Sequence, residues 1–303
     1  SQEFNLKGQS GSLDWLVGTF YYFERQQVDS TLFLSMAVSP FGVEAVREGN
    51  SKFDRHSASI FADGTYSISD TTRLFAGVRG LYEHAGNDLD VAYKPAAGGP
   101  AFFNECSVGA PLQRVGDWSA TGRIGLQHDV GEDAMVYGQA SRGYKSGGFS
   151  NNTCNNKYAA ETVNAFEIGV KSQFMDRRVT LNASAYYYDY SNVAVEQSTV
   201  TGTSVVNAPK SHVLGLDLDG RFQLTQWLSV DGNATFLKTA YDRFFSSGGL
   251  AYGDPDGTDL SGRRLNKAPG ASGTLGVNVD LPVGDGNLKL RGEGYFSGGS
   301  DLL

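Results

Sequence analysis

The sequence predicts an all-β fold: an antiparallel up-and-down transmembrane β-barrel, represented here by about twelve strands. Three observations carry that prediction. Apolar residues recur at every second position through most of the chain, almost no stretch sustains a helical period, and short connections alternate with long ones.

The alternation runs through successive segments. Phe166, Ile168, Val170 and Phe174 oppose Glu167 and Lys171, and Val179, Leu181, Ala183, Ala185 and Tyr187 oppose Thr180, Asn182, Ser184 and Tyr186. Leu214, Leu216, Leu218, Phe222 and Leu224 then share one side, with Asp217, Asp219 and Arg221 on the other. After Thr225-Gln226 the rhythm resumes, with Leu228, Val230, Ala234 and Phe236 set against Ser229, Asp231, Asn233 and Thr235. It returns in Leu275, Val277, Val279 and Leu281, and again in Leu288, Leu290 and Phe296 against Lys289, Arg291 and Glu293. A period of two means strands with one dry and one wet face.

Short turns are predicted near 8–12, 63–70, 130–133, 175–178, 224–227 and 283–286, and long connections near 29–51, 87–116, 149–160, 195–207 and 245–266. In an up-and-down sheet this places every tight turn at one end and every long loop at the other. A Greek-key sandwich has no reason to do so; bacterial outer-membrane barrels do, with the tight turns periplasmic and the long loops outside. Charges gathered on one face suit a water-filled lumen. One strand pair alone would equally suit a soluble sheet with its polar face in bulk water. Predicted strands of about 20 residues far exceed the five or six usual in globular sheets, and Trp15, Trp118 and Trp227 fall near strand ends, where an interfacial girdle would hold them.

Composition narrows the function. The 303 residues carry a formal net charge of −8 and no basic stripe, which argues against a nucleic-acid partner. No apolar run reaches the ~18 residues of a membrane helix, which leaves membrane strands open. Ser1-Gln2-Glu3-Phe4 opens without the basic and apolar regions of a signal peptide, so the start reads as internal.

One stretch, "YGQASRGYKSGGFSNN" at 137–152, invites a sharper reading. Val136, Gly138 and Ala140 alternate against Tyr137, Gln139 and Ser141, and the strand then enters a glycine-rich run with two cations and two aromatics. A phosphate cradle needs a helix after the tight turn. A polar loop follows instead, and Walker spacing is lacking, so the run is read as the outer end of an upward strand.

Here the sequence closely resembles the TonB-dependent outer-membrane receptors. Val136 to Ser150 is similar to that family's "vYasysrGyKsGGfn" strand, and "ETVNAFEIGVKSQFMDRRVTLNASAYYYDYSN" to the two strands that follow it. "DLSGRRLNKAPGASGTLGV" and the opening "EFNL…LDWLVGTFYYFE" also resemble family segments. The resemblance covers nearly all of residues 1–303, read as one β-barrel domain. It implies a barrel of about 22 strands filled by an N-terminal plug that engages TonB. The chain is therefore expected to be a piece of a larger receptor, without plug, early strands or last strands. The implied activity is energised uptake of a scarce nutrient, a ferric siderophore or other iron complex foremost. The implied location is the outer membrane of a Gram-negative bacterium. Implied partners are the TonB system acting through the plug, the small ligand and outer-membrane lipid, around a monomeric barrel without cofactor.

Candidate ligand-binding residues are Arg142, Tyr144, Lys145 and Phe149, near the strand's outer end, and Arg263, which with Arg264 stands at the foot of another long loop. Tyr144 and Phe149 equally fit girdle aromatics, and the arginines solvated loop charge. Asp254, Asp256 and Asp259 only faintly follow a calcium-loop spacing, lacking its closing Glu. His56, His84, His128 and His212 are scattered, without zinc spacing. No metal site is expected. Cys106 and Cys154 fall in successive loops on the outer side, where an oxidising compartment would join them as a disulfide.

Two other classes remain open on sequence: a passive porin-like barrel, which would need neither plug nor coupling, and a twelve-stranded outer-membrane enzyme. The second lacks a Gly-x-Ser-x-Gly and a persuasive Ser/His pairing, so the chain is not expected to be an enzyme.

Overall fold

The computed structural model describes all residues except 37–38, 40, 107–112, 150–156, 200–201, 247–256 and 301–303. Twelve long strands form one antiparallel sheet in chain order. They are β1 (Gln2–Ser10), β2 (Leu13–Leu34), β3 (Ala45–Ser67), β4 (Thr72–Pro95), β6 (Gln113–Val130) and β7 (Ala134–Lys145), followed by β10 (Glu161–Phe174), β11 (Val179–Thr199), β12 (Gly202–Gln223), β13 (Leu228–Arg243), β16 (Ala271–Val283) and β17 (Gly286–Ser297). Short strands decorate the long-loop end: β5 (Phe103–Cys106) adds to β4, β8 (Gly148–Phe149) pairs with β9 (Lys157–Tyr158), and β14 (Phe245–Ser246) with β15 (Thr258–Asp259).

Register converts the period-two pattern into two continuous surfaces. Ile168 is aligned with Gly138 on one side and Ala185 on the other, and Ala185 in turn with Leu216, itself opposite Phe236. One row over, Phe166, Tyr187 and Leu214 line up. These outward side chains are exposed, Ile168 by 66%, although nothing in their chemistry favours water. An apolar face of this size, broken on β13 by Lys238 opposite Leu214, is a surface for hydrocarbon.

The height of the face fits a bilayer. Trp15 and Trp227 lie at the short-turn end, whereas Trp118, 81% exposed, meets Tyr82 at a tilt, ring centroids 4.8 Å apart, toward the long-loop end. From Trp118 to His128 is ten residues of β6, about 33 Å of strand, or about 25 Å of height at a ~40° tilt, the height of a barrel's apolar band. Toward the long-loop end the outward face turns polar: Arg142 donates to Asn164 (3.1 Å), Asp189 pairs with Lys210 (2.9 Å), and His212 with Asp242 (2.6 Å).

The tight turns fall where the sequence places them, at 11–12, 68–71, 131–133, 175–178, 224–227 and 284–285. In the 175–178 turn Met175, Asp176 and Arg177 all take left-handed φ of 54–62°. At the other end the connections differ from expectation. Strands run into the predicted loops 29–51 and 87–116, leaving 35–44 and 96–112 between the long strands. The predicted long loop 195–207 is a hairpin, with Thr199 aligned with Gly202. Outside the membrane both faces of a strand are wet, so pairing continues where apolar alternation stops. Within this hairpin the ladder skips Asn192 and Pro209. Proline has no N–H to give, Asn192 adopts φ 59°, and its carbonyl accepts from Asn207 Nδ2 at 2.8 Å.

The projecting hairpins need cores of their own. Leu34, Leu89, Val91, Tyr93 and Cys106 form one, on β2, β4 and β5. Val195, Ala208, Tyr241, Phe244 and Leu260 form the other, and Leu260 N–H donates to Phe244 O at 2.8 Å. Each large side chain buried there stabilises by about 2 kcal/mol.

The two-faced sheet makes a direct prediction. Ile168→Arg, near the middle of the apolar band, should cost about 2–4 kcal/mol, and Gln139→Arg on the inward face under ~1 kcal/mol, by urea unfolding in lipid vesicles. Equal costs would contradict the assignment of faces.

Candidate functional site

The inward face is a polar wall joined across strands. Arg123 makes a bidentate contact with Asp63 at 2.9–3.1 Å, bridging β6 to β3 over Gly77 of β4. Nearer the short turns, Arg73 pairs with Asp129 at 2.6 Å, and Arg291 pairs with Asp231 at 2.8 Å and also with Glu293. Higher up, Arg55 Nε lies 3.2 Å from Glu83. That contact is an ion pair rather than a hydrogen bond, because neither atom has hydrogen-bonding geometry. Arg79 stands between two rings, 5.4 Å from the Phe20 centroid and 5.7 Å from that of Phe61. Such half-exposed pairs each contribute at most about 1 kcal/mol. Their consequence is a wet, charge-lined surface that a packed core would not tolerate.

Tyrosines occupy the wall between β7 and β12. Tyr137 donates to Glu167 at 2.5 Å, with Lys171 Nζ 5.8 Å from its ring centroid. Tyr186, Tyr188 and Tyr190 succeed one another on the inward face of β11, and Tyr186 donates to Asp217 at 3.4 Å. Tyr188 is level with the row just below Arg142, Asn164 and Asp189, so the ladder climbs the inward face from mid-height toward the long-loop end.

The residues singled out from sequence do not gather on one wall. Arg142 shares the outward face of Phe166 and Ile168 and is exposed. Lys145 is aligned with Glu161, on the inward side. Tyr144 is half-buried, its hydroxyl without a hydrogen-bond partner among the described residues and near the charges of Asp117 and Glu83. Phe149 is 8% exposed in β8. Arg263 is exposed, its carbonyl accepting from Tyr241 N–H of β13 at 2.9 Å, and three strands, β10 to β12, separate β7 from β13. All four histidines lie outward, by register with the apolar face; His56 contacts Tyr21 at 2.9 Å and His128 contacts Thr72 at 2.8 Å. Asp254 and Asp256 lie outside the described residues. Asp259 accepts from Ser261 N–H at 2.9 Å, and the Ser261 hydroxyl and N–H hold its carboxyl below the usual carboxylate range.

Sequence motifs do not single out the tyrosine ladder, although "ASAYYYDY" holds a signal: alternation sends Tyr186, Tyr188 and Tyr190 to the side of Ser184 and Asn182.

Residues 1–302 match the family model described as "TonB dependent receptor-like, beta-barrel". Among solved structures, the ferric yersiniabactin uptake receptor FyuA from Yersinia pestis superposes with a TM-score of 0.71 at 16% identity, covering 95% of this chain and 40% of that one. The siderophore receptor PiuA from Acinetobacter baumannii gives 0.60 at 16% identity, covering 90% and 42%. The copper transporter OprC gives 0.56 at 13% identity, covering 88% and 42%. The chain thus spans less than half the length of these structures, and at such identities the likeness is one of fold.

Cys106 is buried in the β2–β4–β5 cluster; Cys154 lies outside the described residues. We propose that the two are joined, tying the loop after β4 to the loop after β7. A thiol-reactive maleimide should then label neither cysteine of the unfolded protein before reduction and both after it. Labelling of both without reductant would contradict the bond.

Proposed function

Because the chain belongs to the TonB-dependent receptor β-barrel family, whose members are receptors and not enzymes, we propose that it forms part of the wall of an outer-membrane receptor that takes up a scarce ligand with energy from TonB. The ligand class this reading favours is an iron chelate, in keeping with the ferric yersiniabactin uptake receptor FyuA and the siderophore receptor PiuA. The carrying observation is the pair of surfaces: an apolar face outward and, on the same strands, an ion-paired inward face carrying the tyrosines. The wall would line the route, and the hairpins with their own cores would carry the capturing loops. A plug supplied elsewhere in the receptor would contact TonB.

The test is uptake of radioactive ferric chelates by iron-starved cells with and without the full-length receptor, in TonB-positive and TonB-negative backgrounds. Uptake should require both receptor and TonB. Receptor-dependent entry that persists without TonB would support a passive porin instead.

A further inference from the structure

The tyrosines of the wall are seated rather than loose. Tyr186 and Tyr188 stack with centroids 4.7 Å apart and planes 23° apart, and Tyr188 meets Tyr190 edge to face at 6.3 Å. Tyr186 leans over Gly215 of the neighbouring strand, where a Cβ would lie 2.2 Å from its ring; Tyr137 lies over Gly169 in the same manner, at 2.6 Å. The two glycines are therefore notches that hold the rings in place.

Chemistry around the ladder is one-sided. The hydroxyls at its foot already donate to Glu167 and Asp217, so what they leave free is ring surface and carboxylate lone pairs. Between the rows of Lys171 and Lys145, the inward faces of β10 to β13 carry Glu167 and Asp217 and neither Lys nor Arg. Two cations line the pocket beside Tyr137 and Glu167, and both are engaged: Lys171 approaches the Tyr137 face, and Arg123 is held by Asp63.

We propose that Tyr186, Tyr188 and Tyr190, with Glu167 and Asp217, form a lumenal subsite for a flat aryl ring on a ligand of zero or positive net charge. Ring quadrupoles attract both a second ring and a cation. Carboxylates on a partly desolvated wall repel a polyanion more strongly than they would in bulk water. The inference rests on the uptake reading and narrows its ligand: aryl-bearing neutral or cationic chelates are admitted, ferric tris-catecholate polyanions are not.

Three ferric probes test this on the purified full-length receptor: a hydroxyphenyl-azoline chelate, with a ring and little charge; a tris-catecholate, with rings and high negative charge; and a linear trihydroxamate, without a ring and neutral or cationic. The first should bind tightest. Tyr188→Ala should weaken it about tenfold and Tyr188→Phe by less than about threefold, neither affecting the trihydroxamate. The double variant Glu167→Gln/Asp217→Asn should improve binding of the tris-catecholate. Heat-modifiable gel migration reports that each variant keeps a folded barrel. Tightest binding of the tris-catecholate, or Tyr188→Ala changing all probes alike or none, overturns the subsite while leaving the uptake reading standing. Binding of no chelate at all removes both.

Discussion

A backbone amide in hydrocarbon has no water to turn to, and the structure is organised around that constraint. From β2 to β16 every spanning strand is hydrogen-bonded to a long strand on each side, in an unbroken antiparallel ladder. Pairing over so many strands forces side chains alternately outward and inward. Composition then sorts itself, with Ile168, Leu216 and Phe236 on one surface and Glu167, Asp217 and Thr235 on the other. The ion pairs of the inner wall follow from this arrangement and contribute little to its cause. Half-exposed as they are, they contribute far less than the ladder and apolar face that hold them in register.

Above the membrane the constraint relaxes and a different physics takes over. Strands of 22 to 24 residues exceed what a bilayer needs, about ten residues at a usual tilt, and project as hairpins that water could unzip. Two local cores hold them: Tyr93 with Val91, Leu89 and Leu34, and Tyr241 with Phe244 and Leu260. The tyrosine ladder climbs toward the level where the two regimes meet, seated on glycines of the spanning ladder.

Legibility in the sequence followed the same division. β13 and the part of β12 from Leu214 on could be read because apolar residues there alternate with polar and charged ones, and the 224–227 turn sits where alternation pauses. The 195–207 hairpin could not, because Gln197 to Val205 shows no dry face and pairing above the membrane needs none. The alternation of Val136, Gly138 and Ala140 places Arg142 on the outward face, and the register agrees. For the ladder, sequence shows the side chains and their parity. It cannot show Gly215, Asp217 or Glu167 beside them, since those contacts exist only once the strands are in register.

The most direct measurement is a cysteine scan from Leu214 to Arg221 in the full-length receptor, native cysteines replaced, with a nitroxide at each position in lipid vesicles. Relaxation by membrane-dissolved oxygen should peak at 214, 216 and 218, and relaxation by a water-soluble nickel complex at 215, 217 and 219, a strict period of two. Uniform access to the aqueous reagent at all positions would contradict the two-faced membrane wall on which every other part of the account depends.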